Sequence, residues 1–198
     1  MEPTAAYPVT FTFEPPDHIA RWRPLVSWLL AIPHFFILYF VQLVASVCVL
    51  VGWFAILFTG NLSEGLARFP IMLLRYQTRV QTYSMFLQEE YPPFEFPSEG
   101  TDVGDYPRMR VEVDPALTDR NRLTTFFRPF MLIPHVIALL FLGIGAGIVI
   151  FIAWFAVLIT GKWPEGLRDF LLGYFRWATR VNGYALLLTD EYPPFTLD

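Results

Sequence analysis

Ile32-Pro33-His34 returns 101 positions later as Ile133-Pro134-His135. Trp53-Phe54-Ala55 through Thr59-Gly60 returns as Trp154-Phe155-Ala156 through Thr160-Gly161, and Tyr91-Pro92-Pro93-Phe94 as Tyr192-Pro193-Pro194-Phe195. Positions 32–94 and 133–195 align without a gap, and 27 of the 63 are identical. A repeat of this period means one architecture built twice. The boundary falls near residue 95, giving repeats over 1–95 and 96–198.

Each copy carries an apolar run, Pro24–Gly60 and Pro129–Gly161, without a single Asp, Glu, Lys or Arg. Both exceed the roughly 18 uncharged residues that mark a membrane helix. The whole chain is 55% hydrophobic and 16% charged, against about 25% charged in soluble domains. These features predict an all-α membrane protein with minor β content, inserted in the cell membrane as a multi-pass protein. The first basic residue is Arg21, so the basic region of a signal peptide is missing and insertion without cleavage is expected. Cys48 is the only cysteine, which excludes a disulfide framework and a cysteine metal site.

Four parts recur in each repeat. A short segment alternates Val9, Phe11 and Phe13 with Thr10, Thr12 and Glu14, and later Met109, Val111 and Val113 with Arg110, Glu112 and Asp114. That period predicts two half-buried strands, close enough to pair in a small sheet. An arginine-bearing entry follows (Arg21 and Arg23; Arg120, Arg122 and Arg128), then the apolar run. The last part has apolar residues at helical spacing, such as Leu167, Phe170, Leu171, Tyr174, Ala178 and Val181, with Arg176 and Arg180 opposite. It predicts an amphipathic helix in the interface plane, ended by the Tyr-Pro-Pro-Phe stop. In the first copy Pro70 predicts a kink.

An uncharged run of about 35 residues would form a helix about 50 Å long, too long for a hydrocarbon core of about 30 Å. Gln42 to Ser46, and Gly143-Ile144-Gly145-Ala146-Gly147, offer places to turn. The favoured expectation is a helical hairpin in each run; the alternative is one long kinked helix with the amphipathic segment returning beside it. Arginines flank both ends of both runs, so the positive-inside rule requires an even number of crossings and places both termini in the cytoplasm.

Few residues offer chemistry. His34 and His135 occupy equivalent positions and form a speculative polar pair, although no third ligand accompanies them and no metal is expected. Arg75 with Arg79, and Arg176 with Arg180, are i,i+4 pairs able to clamp phosphate, which at a membrane is a lipid headgroup, anionic lipids included. Pairing with Glu64, Glu165, Glu90 or Glu191 is the structural alternative. The sequence contains no phosphate loop, nucleophile elbow, zinc-protease helix or dinucleotide fingerprint, and no basic stripe suited to nucleic acid. No catalytic residue and no cofactor are therefore expected.

The stretch Trp154-Phe155-Ala156 to Gly161, Pro164-Glu165-Gly166-Leu167, Arg176-Trp177, Arg180-Val181 and Leu187 to Phe195 resembles the bacterial membrane-protein family catalogued as domain of unknown function 4389. The resemblance extends over both halves, from about Arg21 to Phe94 and Arg122 to Phe195. The first copy departs at Asn61-Leu62-Ser63 and Tyr76. The resemblance implies a bacterial inner-membrane protein with repeated domains and supplies no activity. The expectation is a non-enzymatic protein that organises lipid or partner proteins, a second copy included, at the cytoplasmic face. A small transporter or channel built from two repeats is the alternative.

Overall fold

Val9, Phe11 and Phe13 all turn inward while Thr12 is exposed, as alternation on a one-sided sheet requires. The computed structural model describes residues 7–102, 106 and 108–198. In it β1 (Val9–Phe13) pairs antiparallel with β2 (Met109–Val113), Phe11 standing opposite Val111. The register is symmetric about that pair, with Val9 opposite Val113 and Phe13 opposite Met109. Glu14 N–H donates to Arg108 O and Asp114 N–H to Pro8 O, both at 2.8 Å. The two repeats are thus related by a pseudo-twofold axis through the centre of the sheet.

The remaining elements are α1 (Arg23–Leu30), α2 (Ile32–Thr59), α3 (Glu64–Ser84), α4 (Arg122–Thr160) and α5 (Glu165–Ala185). Each strand packs on the amphipathic helix of the other repeat. Phe11 of β1 stacks on Phe175 of α5 at 5.9 Å, and a Cβ on Gly183 would lie 2.6 Å from Val9 Cγ2. On the other side Arg75 Nε of α3 donates to Val111 O of β2 at 2.8 Å. A cut between residues 95 and 96 separates the sequence repeats but runs through one shared core.

The expected hairpins are not formed. Gln42 to Ser46 and Gly143 to Gly147 lie in the middle of the unbroken helices α2 and α4. Ser46 Oγ donates to Gln42 O at 2.7 Å, so the polar residues are satisfied within the helix. The glycines serve approach: a Cβ on Gly145 would be 3.4 Å from Phe170 Cζ, and one on Gly143 3.6 Å from the Tyr174 hydroxyl. Glycine in a helix costs about 1 kcal/mol against alanine, too little to open a turn in a run with no other breaker. The alternative expectation, a long helix with the amphipathic segment returning alongside, describes both repeats. In repeat 1 the long helix is divided at Ala31 into α1 and α2; in repeat 2 α4 continues through Pro129 and Pro134. Helix α3 likewise continues through Pro70. Both long helices close on a left-handed glycine, Gly60 at φ 75° and Gly161 at φ 72°, the conformation that favours glycine as a helix stop.

The placement of the amphipathic helices also corrects the reading from sequence. Helices α3 and α5 do not lie on a surface plane; they form a central layer, covered on one side by α2 and α4 and on the other by the sheet. Most of α3 from Ala67 to Tyr83 is buried, Arg75 and Arg79 included. The apolar helices are outermost. Both are long and apolar enough to cross a membrane, yet only 11% of the most apolar window of each is buried.

The two long limbs run antiparallel and touch at both ends. Trp53 Nε1 donates to Thr125 O at 2.9 Å, and its counterpart Trp154 Nε1 to Pro24 O at 3.1 Å. Beyond them Arg120 N–H donates to Gly60 O and Ile19 N–H to Gly161 O. Helices related by a twofold axis that meet at both ends must lie across that axis. The sheet, the α3–α5 layer and the α2–α4 layer are therefore stacked along it.

Candidate functional site

The signature residues of each repeat converge on its histidine. His34, at the start of α2, is fully buried and its Nδ1 lies 2.6 Å from the Tyr76 hydroxyl of α3. The chain after α3 turns back so that Phe94 stacks on the imidazole at 4.5 Å and Tyr91 lies at 4.7 Å. In repeat 2 Trp177 Nε1 donates to His135 Nδ1 at 3.3 Å, while Phe195 and Tyr192 close in at 4.1 and 4.7 Å. Tyr91 and Tyr192 donate to Leu30 O and Met131 O, which fastens each Tyr-Pro-Pro-Phe segment to its long helix.

The cages are built to hold a ring. Burial, with a smaller contribution from Tyr91, pushes the Tyr76 phenol up to about 12, and its hydroxyl shares one hydrogen bond with His34 Nδ1. An indole N–H can only donate, so His135 Nδ1 accepts. Nδ1 is thereby engaged in both repeats, and each histidine is enclosed by its own repeat. The convergence of the two considered from sequence does not occur, and the described residues contain no cluster of three metal-capable side chains.

The arginine pairs divide between two environments. Arg75 and Arg79 are wholly buried, so the headgroup contact considered for them is not available. Arg75 donates to Val111 O, to Pro97 O at 3.2 Å and to Gly100 O. Arg79 Nη2 lies 2.6 Å from Asp102 Oδ1 in an ion pair with no solvent exposure on either side chain. Burial draws the Arg75 guanidinium below its ordinary value, opposed by Asp102 and Glu112. The anion is Asp102 and not Glu64 or Glu90. Arg180 donates to Thr196 O at 2.6 Å and weakly to Arg176 O, whereas Arg176 is only half-buried.

A third cluster joins the entry of α4 to the end of α5. Arg120 Nη2 and Arg128 Nη2 both lie 2.6 Å from Asp190 Oδ1, and Asn121 N–H donates to Asp190 Oδ2 at 2.8 Å. Burial alone would raise the Asp190 carboxyl, but the Arg120 hydrogen bond, the Asn121 amide and the two guanidinium charges hold it below the usual range. In repeat 1 Glu89 takes the matching place and accepts from Ala20 N–H. Sequence reasoning named the neighbours Glu90 and Glu191; the acid directly before each, Glu89 and Asp190, was the available signal. Asp102 had no such signal.

Beside this cluster lies a groove of about 580 Å³ between α2, α4 and the end of α5, with Gln42, Ser46 and Arg128 among its apolar walls. A second, of about 530 Å³, follows α4 and α5 and shares Leu132 and Ala185 with the first. Their walls suit aliphatic chains.

With this geometry in hand, the comparisons are simple. The family model described as Domain of unknown function (DUF4389) matches residues 21–95 and again 122–196. The chain belongs to this family. The two matches coincide with the two histidine-cage units and leave both strands outside them. No curated protein and no solved structure matches the chain.

Proposed function

We propose that this chain is a non-enzymatic, membrane-embedded protein that organises lipid or partner proteins at the cytoplasmic face. One observation carries the membrane reading: α2 and α4 are apolar over most of their length, and only 11% of the most apolar window of each is buried. A soluble protein hides such helices in its core, and an exposed apolar surface of this extent marks a contact with lipid or protein. Phe36, Tyr39, Phe58, Phe141, Phe151 and Ile159 each leave about two thirds or more of their surface free.

The symmetry favours immersion in one leaflet over the multi-pass crossing expected from sequence. Were the twofold axis in the membrane plane, α2 and α4 would cross as inverted repeats and the sheet would sit at bilayer depth. The sheet's outer face carries Thr12, Arg110 and Asp114 exposed, and open strand edges are not tolerated in hydrocarbon. With the axis along the normal, the long helices lie flat in one leaflet and the sheet faces water. Zero crossings also satisfy the even parity that the flanking arginines require, keeping β1, the segment 85–102 and the C-terminal segment on the cytoplasmic side. The first six residues lie outside those described.

The exposed cations Arg21 and Lys162 at one end of the helical layer, and Arg122 at the other, complement the anionic cytoplasmic leaflet. The apolar grooves along α4 supply space for acyl chains. The test is fractionation of cells expressing the chain. It should resist alkaline carbonate extraction and be released by mild detergent, with cysteines at Ser98 and Thr196 shielded from an impermeant thiol reagent until lysis. Recovery as a soluble monomer would overturn the membrane reading; labelling from outside would overturn the cytoplasmic placement.

A further inference from the structure

Three polar residues, Gln42, Ser46 and Arg128, line the groove of about 580 Å³ between α2, α4 and the end of α5. At the 101-residue spacing their counterparts are Gly143, Gly147 and Ser27. Helix α4 is unbroken with glycine at the first two of these places, so a helix of this kind does not need Gln42 and Ser46 in order to form. The hydrogen-bonding groups of the groove are an addition made on one side of a duplicated scaffold.

Each of the two has a partner within α2: Gln42 Nε2 donates to Ser46 Oγ at 3.3 Å, and Ser46 Oγ to Gln42 O at 2.7 Å. The Gln42 amide has capacity left over, a second hydrogen and its carbonyl oxygen. Both side chains are exposed, and such capacity is costly against hydrocarbon unless it meets a polar partner. Arg128 is almost wholly buried, and its Nε has no partner among the described residues. It shares the Asp190 carboxylate with Arg120, so two guanidinium groups face one anion and the cluster keeps a positive charge in excess. Leu132 and Ala185 border this groove and also the second one, of about 530 Å³. Each volume falls within the roughly 300–1,000 Å³ of small-molecule sites. From Pro129 to Ile144 the two follow α4 for about 22 Å. The acyl chains of one leaflet fill about 15 Å, half of a core of about 30 Å.

We propose that the groove binds one long-chain fatty acid, a reading that rests on the membrane placement above. Its carboxylate accepts from the spare Gln42 amide hydrogen and balances the excess charge of the Arg120, Arg128 and Asp190 cluster. Its chain follows the apolar wall of α4 past Val136 to Gly143. A carboxylate supplies the acceptor and the negative charge together, and hydrogen bonds to it are charge-assisted. A phospholipid would bring a second chain and a phosphate to a wall where Arg128 is almost wholly buried. The cations suited to a phosphate, Arg21, Lys162 and Arg122, are exposed at the ends of the helical layer.

The probe is palmitic acid carrying a photoreactive diazirine near its methyl end, crosslinked to the full chain in phosphatidylcholine nanodiscs and mapped by peptide mass spectrometry. Saturable labelling of α4 between 132 and 144 is expected, displaced by excess palmitate and not by hexadecanol. Gln42→Leu should lower it at least about fivefold, as for the loss of one hydrogen bond to a charged group. Leu132→Trp, which fills the groove, should abolish it. Both variants are checked for an unaltered melting temperature, and the competition on the wild type decides the matter whether or not they fold. Labelling that does not saturate and spreads over the exposed faces of both long helices would overturn the site and leave the membrane reading intact. Equal displacement by hexadecanol, or displacement by phosphatidylglycerol and not by palmitate, would also overturn the proposal, the latter by assigning the groove to a phospholipid. A chain recovered outside the nanodiscs would overturn the membrane reading and the site with it.

Discussion

Arg79 and Asp102 form an ion pair 2.6 Å long from which water is wholly excluded, joining α3 of the first repeat to the segment that leads into β2. Two further atoms of Arg79, Nε and Nη1, are buried without a partner, so its charge depends on this one carboxylate. The pair fixes where the second repeat begins relative to the first.

Removing one member should therefore cost more than removing both. Asp102→Asn is expected to destabilise the protein by about 3–5 kcal/mol, the usual cost of leaving a buried charge uncompensated. The double replacement R79M/D102L should recover the part of that loss that comes from Arg79, while Arg75 and the Val111 N–H still lose the carboxylate. Denaturant unfolding in a fixed detergent measures both, and a double variant worse than either single would contradict the assignment.

Asp190 gives the protein an acid-sensitive joint. Its carboxyl is held below the ordinary value of about 4 by Arg120, Asn121 and Arg128. A carboxylate with a lowered folded value contributes stability that is complete above its unfolded value and lost as pH falls through the folded one. Wild-type stability should thus decline as pH drops below about 4. Asp190→Asn should be less stable at neutral pH and show a flatter acid limb. Parallel slopes in thermal melts between pH 6 and 3 would remove Asp190 from this role.

Gly183 is the point where β1 rests on α5. A methyl group there meets Val9 Cγ2 at 2.6 Å and Cγ1 at 3.2 Å, and overpacking of this kind costs about 1–3 kcal/mol. Gly183→Ala should lower the melting temperature and speed hydrogen exchange in β1. The exposed Gly166, with nothing within 4 Å of its Cβ position, is the control and should accept alanine with little change.

The duplication and the two strands were legible because each is written locally, in alternation or in identity at fixed spacing. The expected stop was not met: α3 ends at Ser84 and α5 at Ala185, before Tyr91-Pro92-Pro93-Phe94 and Tyr192-Pro193-Pro194-Phe195, which fold back onto the histidines instead. The path of the apolar runs was not legible. Where every position is apolar, periodicity carries no information about a turn, and Gly143 to Gly147 proved to be a seat for Phe170 and Tyr174. The amphipathic pattern of α3 located its polar face correctly, but that face meets β2 and Asp102 instead of headgroups. A pattern along one helix does not say what covers it. Asp102 answers Arg79 from a loop with no motif, and only the fold brings them together.

The central claim, that the apolar helices lie flat in one leaflet, is tested most directly by depth. Spin labels placed singly at Phe36, Leu43, Leu50 and Phe58 of α2, in a Cys48→Ser background, can be positioned in bilayers by power saturation. Residues 36 and 58 are separated by about 33 Å along the helix, close to the full hydrocarbon thickness. The account predicts that all four labels lie in one leaflet, with Phe36 and Phe58 at similar depth. Labels at Phe36 and Phe58 in opposite leaflets, with Leu43 and Leu50 nearest the midplane, would contradict it.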